Sequence, residues 1–148
     1  PGEEVLILAP YWPLIRGIVQ AARGQVVDVP FYDRVDGPEA AVEAISERIS
    51  ERTVALYVST PSNPTGRLLP ESWLQAIAEL ARRENLWLLS DEVYESLVYS
   101  GDHVSLARFA PERTWTPYAW FCFSGGRHHG GNGTRRHPPT ACGRPRSV

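Results

Sequence analysis

Two residue types are missing outright from this 148-residue chain: it has no methionine and no lysine, so all 15 basic side chains are arginine. The lack of lysine removes every side-chain primary amine. A guanidinium group stays protonated and does not form an imine, so arginine is no replacement. Cysteine is scarce as well, with Cys122 and Cys142 both late in the chain and no disulfide framework implied. No apolar run approaches the roughly 20 residues that a bilayer-crossing helix needs. Nor is there a basic start, an apolar stretch and a small-residue cleavage site to mark a signal peptide. These absences lead us to expect a soluble, cytoplasmic protein with no membrane partner. Without methionine, and opening one short loop before a strand, the sequence is also expected to lack an N-terminal portion.

Acid is the next thing to run out. Up to Ser124 ten arginines face seventeen acidic residues, whereas from Gly125 onward there are five arginines and no acid. The periodicity stops at the same place. Residues 125–148 hold half of the glycines and almost no large apolar side chain, too little to offset the entropy of ordering them. We therefore expect two parts: residues 1–124, a partial α/β domain, and residues 125–148, a disordered or frame-shifted tail. An arginine-rich arm without acids also raises nucleic-acid binding. Nothing aromatic is interleaved after Phe123, so no nucleic-acid partner is assigned. Cys122, His128, His129, His137 and Cys142 are possible metal ligands, but their spacing fits no compact pair-and-pair pattern, and no metal site is expected.

What is present is an alternation of two patterns. Val5 to Ala9 is a continuous apolar run, as suits a parallel strand covered on both faces. Leu14, Ile15, Ile18, Val19 and Ala22 follow helical spacing, with Gly24 as the expected stop. "QVVDVP" reads as a strand, and "GPEAAVEAISERIS" as a helix with Pro38 in its first turn. Val54 to Val58 is the next strand. "LPESWLQAIAELARREN" is the strongest helix, with Glu71 in its first turn and Arg82 and Arg83 in its last, where the helix dipole favours each sign. Leu86 to Leu89 is a further buried strand, and "RTWTPYAWFCFS" a weaker one in which Pro117 interrupts the pattern. The fold class is therefore α/β, a mostly parallel sheet flanked by helices.

Ligands of open α/β sheets bind beyond the carboxyl ends of the strands. Three strands here end in chemistry: the first leads to Tyr11 and Trp12, the third to "STPSNPTG" with Asn63, and the fourth to Asp91 and Tyr94. Pro61 and Pro64 stiffen the loop around Asn63, as though to present its amide. An indole, an amide, a carboxylate and a phenol at one edge suit a flat heteroaromatic ring. Trp12 would stack on it, a buried Asp91 would keep its ring nitrogen protonated, and Asn63 and Tyr94 would bond a phenolate oxygen. Each residue also has a plainer reading: Trp12 as a hydrophobic anchor, Asp91 as a helix cap, Tyr94 as core.

"APYWP", "STPSNPTG" and "LLSDEVYESLVYSG", in that order, resemble the large domain of fold-type I pyridoxal-phosphate enzymes, specifically class I/II aminotransferases of the aspartate aminotransferase family. The resemblance covers residues 1–114. It implies pyridoxal 5′-phosphate as cofactor, with Trp12, Asn63, Asp91 and Tyr94 around it, and an amino acid and a 2-oxo acid as substrates. It also implies a homodimeric parent, and cis peptide bonds before Pro10 and Pro64. A carbon-sulfur lyase on the same fold would share these motifs.

One family residue has no counterpart. The lysine that carries the cofactor and moves the substrate's proton belongs in a serine-lysine step, but here Ser124 is followed by Gly125. No catalytic residue is assigned, and the chain itself is expected to be inactive. A reading-frame shift near residues 114–121 would account for the tail. The alternative is a lysine-less, non-catalytic ligand-binding relative.

Overall fold

A computed structural model describes residues 1–116 of the chain. The aromatic stretch beyond Thr116, the glycine- and arginine-rich tail, and the Cys/His set named above lie outside the described residues.

The elements alternate as the apolar runs predict. Strand β1 (Glu4–Ala9) leads to helix α1 (Leu14–Ala21) and strand β2 (Gln25–Pro30); helix α2 (Pro38–Ser46) leads to β3 (Thr53–Ser59); and helix α3 (Glu71–Arg83) leads to β4 (Trp87–Asp91). A short 3-10 turn at Leu106–Arg108 and strand β5 (Thr114–Trp115) complete the described chain. All five strands are parallel, in the order β2-β1-β3-β4-β5.

Successive side chains of a strand point to opposite faces, and this divides the core in two. Leu6, Leu8, Leu56, Val58 and Leu88 pack on one face with Ala41 and Ile45 of α2 and Trp73, Leu74 and Ile77 of α3. Ile7 and Tyr57 pack on the other face with Ile15 and Val19 of α1. The chain therefore leaves β1 in one direction on one face and returns past it on the other. Strand order reverses between β1 and β3, which is where an open parallel sheet forms its crevice.

The helix ends are set by backbone geometry. Gly24 N–H bonds the Val19 carbonyl at 2.9 Å and Arg23 N–H bonds that of Gln20 at 2.9 Å, the double closure that ends many helices. The left-handed residue in it is Arg23, at φ 61°, not the glycine beside it. Gly24 is needed for a different reason: a Cβ there would lie 2.9 Å from Val19 Cγ1. Helix α3 closes the same way, with Leu86 N–H on the Ala81 carbonyl and Asn85 at φ 57°. Helix α2 stops at Ser46, four residues before its predicted helical stretch ends.

After β4 no α-helix follows among the described residues, so Asp91 caps none. Glu92 instead gathers the returning chain. Its carboxylate accepts bonds from the Ser90 hydroxyl at 2.7 Å, the Ser105 hydroxyl at 3.0 Å and Leu106 N–H at 3.1 Å, and it pairs with His103 Nε2 at 3.1 Å.

Candidate functional site

Because β1, β3 and β4 are adjacent and parallel, their carboxyl ends open on one edge. Ser59 of β3 is in register with Asp91 of β4, and Ile7 of β1 with Tyr57 of β3. The loops leaving these ends bring Trp12, Asn63, Asp91 and Tyr94 together around a cavity of about 240 Å³, with Val93 as the fifth lining residue. All four residues singled out from the sequence thus meet at one place. Tyr11 does not join them. Its hydroxyl donates to Asp28 at 2.6 Å and accepts from Arg16 at 3.0 Å, outside the crevice.

Asp91 ends β4 and is 5% exposed. A buried carboxylate is costly unless hydrogen-bonded, and both of its oxygens have donors. The Tyr57 hydroxyl donates to Oδ2, and Val93 N–H donates to Oδ1 at 3.3 Å. Asn63 Nδ2 lies 3.3 Å from the Tyr94 hydroxyl, so amide and phenol stand side by side. Trp12 lines the cavity and is 40% exposed.

The Asn63 loop is held by more than its prolines. Ser62 N–H bonds the Arg67 carbonyl at 3.0 Å, and Gly66 N–H returns to the Ser62 carbonyl at 2.6 Å, with Gly66 at φ 70°, where an L side chain is strained. The fully buried Thr60 ties the loop at both ends: its N–H donates to the Asp91 carbonyl, and its hydroxyl accepts from Leu69 N–H, each at 3.0 Å. Beneath the loop the Tyr32 hydroxyl donates to the Ser59 carbonyl at 2.5 Å and accepts from Ser59 N–H at 3.0 Å. Burial pushes the Tyr32 phenol far above its ordinary range, so it remains protonated. Arg67, stacked 4.8 Å over Trp73, donates to the Tyr32 carbonyl at 2.6 Å. The peptide bonds before Pro10, Pro61 and Pro64 are all cis.

Tyr57 and Tyr32 escaped sequence reasoning: Tyr57 sits in a run that reads as plain core, and Tyr32 in the connection between β2 and α2. Parity was the available signal for Tyr57. It shares its sheet face with Ile7 of the neighbouring strand and with Leu89, two residues before Asp91.

The donor set fits a protonated heteroaromatic ring bearing an anionic oxygen: a dry, oriented carboxylate, a paired amide and phenol, and an indole face. A volume below the usual few hundred Å³ and upward of ligand pockets suits one small ring. No cation lines the cavity, so a phosphate group finds no charged partner among these five side chains.

Fold and crevice together define an open parallel α/β protein of the class that holds a ligand at the strand ends where the order reverses. The comparisons narrow this. The model of the aminotransferase class I and II family matches residues 1–133, and the chain belongs to that family. It is 44% identical over 116 residues to a probable aspartate/prephenate aminotransferase of Thermus aquaticus, covering 78% of this chain and 30% of that one. Among solved structures it resembles the aspartate aminotransferase of Thermus thermophilus with maleate, at 42% identity and a TM-score of 0.68, over 77% of this chain and 30% of that one. It also resembles the N-succinyldiaminopimelate aminotransferase of Mycobacterium tuberculosis, at 37% identity and a TM-score of 0.70, over 78% and 31%. The chain therefore spans about 30% of the length of the curated relatives it matches. No described helix is long and apolar enough to cross a membrane.

Proposed function

We propose that these residues form the ring-binding part of a pyridoxal-phosphate-dependent aminotransferase, which moves an amino group from an amino acid to a 2-oxo acid. The observation that carries this reading is the buried, doubly hydrogen-bonded Asp91 at the floor of a cavity rimmed by Trp12, Asn63 and Tyr94. When bound, pyridoxal phosphate supplies an electron sink for the substrate's α-carbon. Each side chain serves that group in its own way. Asp91 holds the proton on the ring nitrogen, because an anion in a dry site favours its positive partner. Asn63 and Tyr94, whose amide nitrogen and hydroxyl lie 3.3 Å apart, would hold the phenolic oxygen. Trp12 would stack on the ring and keep water from it.

The chain has no lysine, so it contributes no side-chain amine to hold the cofactor covalently or to shuttle a proton at the α-carbon. We infer that this polypeptide binds the ring reversibly and does not turn substrate over. That specific absence is also what favours the second reading, a non-catalytic ligand-binding relative. The two differ in whether the coding sequence supplies a serine-lysine step in another frame beyond Glu112.

The test is titration of the chain with pyridoxal 5′-phosphate, followed by cofactor absorbance and tryptophan fluorescence, before and after borohydride. The expected result is saturable binding, lost in Asp91→Ala, weakened about tenfold in Tyr94→Phe, and leaving no borohydride-fixed adduct. Equal binding by wild type and Asp91→Ala overturns the proposal.

A further inference from the structure

The cofactor reading uses four side chains, and a fifth group touches the most buried of them. Tyr57 lies in the middle of β3, 3% exposed, on the α1 face of the sheet. Its ring borders an apolar groove lined also by Val5, Ile15, Val19, Leu89 and Trp115. Its hydroxyl leaves that groove and donates to Asp91 Oδ2. The phenol thus approaches the carboxylate from within the sheet, while the cavity approaches it from the strand ends.

Two consequences follow from this placement. A carboxylate with separate donors on its two oxygens, Tyr57 on Oδ2 and Val93 N–H on Oδ1, cannot rotate without breaking one of them. Its remaining lone pairs are then aimed in a fixed direction. The bond also lies against apolar side chains, where a hydrogen bond to an ion is stronger than in water and an unpaired one is costly.

We propose that Tyr57 is a positioning residue: by holding Asp91 Oδ2 it orients the carboxylate toward the cavity, so that the chain prefers a ligand ring carrying a protonated nitrogen at that point. This inference rests on the cofactor reading above. It concerns a residue in the core of a strand, behind the ligand-lining set.

The experiment separates failure of this inference from failure of the reading beneath it. Dissociation constants are measured for pyridoxal 5′-phosphate and for its 1-deaza analogue, in which a C–H group replaces the ring nitrogen, with the wild-type chain, Tyr57→Phe and Asp91→Asn. The wild type is expected to prefer the nitrogen-bearing ring. Tyr57→Phe should reduce that preference roughly tenfold while leaving affinity for the deaza analogue unchanged. A residue with only a packing role would weaken both ligands alike. If Asp91→Asn abolishes the preference and Tyr57→Phe leaves it intact, the positioning role is overturned and the cofactor reading stands. If neither substitution alters it, the cofactor reading falls and the inference falls with it. A second measurement needs no variant: the Tyr57 hydroxyl proton of the wild-type chain should shift in the NMR spectrum on binding pyridoxal phosphate and not on binding the deaza analogue. A resonance indifferent to both overturns the proposal.

Discussion

Replacing Tyr32 by phenylalanine should destabilise the chain by removing one oxygen atom. The ring is 4% exposed and packs edge-on to Phe31 at 5.3 Å, contacts that phenylalanine retains. What is lost is the hydroxyl that donates to the Ser59 carbonyl at 2.5 Å and accepts from its N–H at 3.0 Å. Ser59 is 3% exposed, so water does not readily replace it. An orphaned buried polar group costs about 1–3 kcal/mol, so with two groups affected the loss is roughly 2–6 kcal/mol. For a domain of this size that lowers Tm by about 5–20 °C, measurable by circular dichroism. A second signature lies at high pH. Burial raises the Tyr32 phenol above its unfolded value near 10. Such a group contributes stability that is fully present below the unfolded pKa and is lost as pH rises toward the folded one. Wild type should therefore lose stability above about pH 10, and Tyr32→Phe should lose less over the same range. A Tm change under about 2 °C with an unchanged alkaline slope refutes the role given to this phenol.

Four further substitutions test other parts of the account. Glu4, 5% exposed, has its carboxyl held below the usual range, first by the Ser50 hydroxyl at 2.6 Å and then by Arg52. A depressed folded pKa gives stability that is present above the unfolded value of about 4.3 and lost as pH falls through the folded value. Glu4→Gln should accordingly flatten the acid limb of a pH-stability curve. Gly24→Ala forces a methyl group against Val19 and should cost about 1–3 kcal/mol in urea unfolding. Its neighbour behaves oppositely, since Arg23→Gly relieves a left-handed backbone and should gain roughly 1 kcal/mol. Glu92→Ala removes the acceptor that docks Ser105 and Leu106, and should both cost about 2–4 kcal/mol and open residues 93–105 to limited proteolysis.

The strands were legible because buried parallel strands are written as short apolar runs: Val5 to Ala9 differs from β1 only in starting one residue late, and Val54 to Val58 lies one residue inside β3 at each end. Trp12, Asn63, Asp91 and Tyr94 were legible because each follows such a run within a few residues, and parallel order brings those ends together. The supports were not legible. Tyr32 bonds a backbone 27 residues away, Tyr57 a carboxylate 34 residues away, and Glu92 a segment 13 residues on. Such partners depend on register and on which face a side chain takes, and local pattern carries neither. The end of α1 was misassigned by one residue for a related reason. Gly24 looks like a helix stop, yet tight packing on Val19 claims the glycine and leaves the left-handed position to Arg23.

The central claim is that Asp91 holds a proton on a bound ring nitrogen. It is tested most directly by 15N NMR of ring-labelled pyridoxal 5′-phosphate bound to the chain, at a pH where the free cofactor has lost that proton. The account predicts the shift of a protonated nitrogen in wild type and of an unprotonated one in Asp91→Asn. An unprotonated nitrogen in wild type, or the same shift in both proteins, would contradict it.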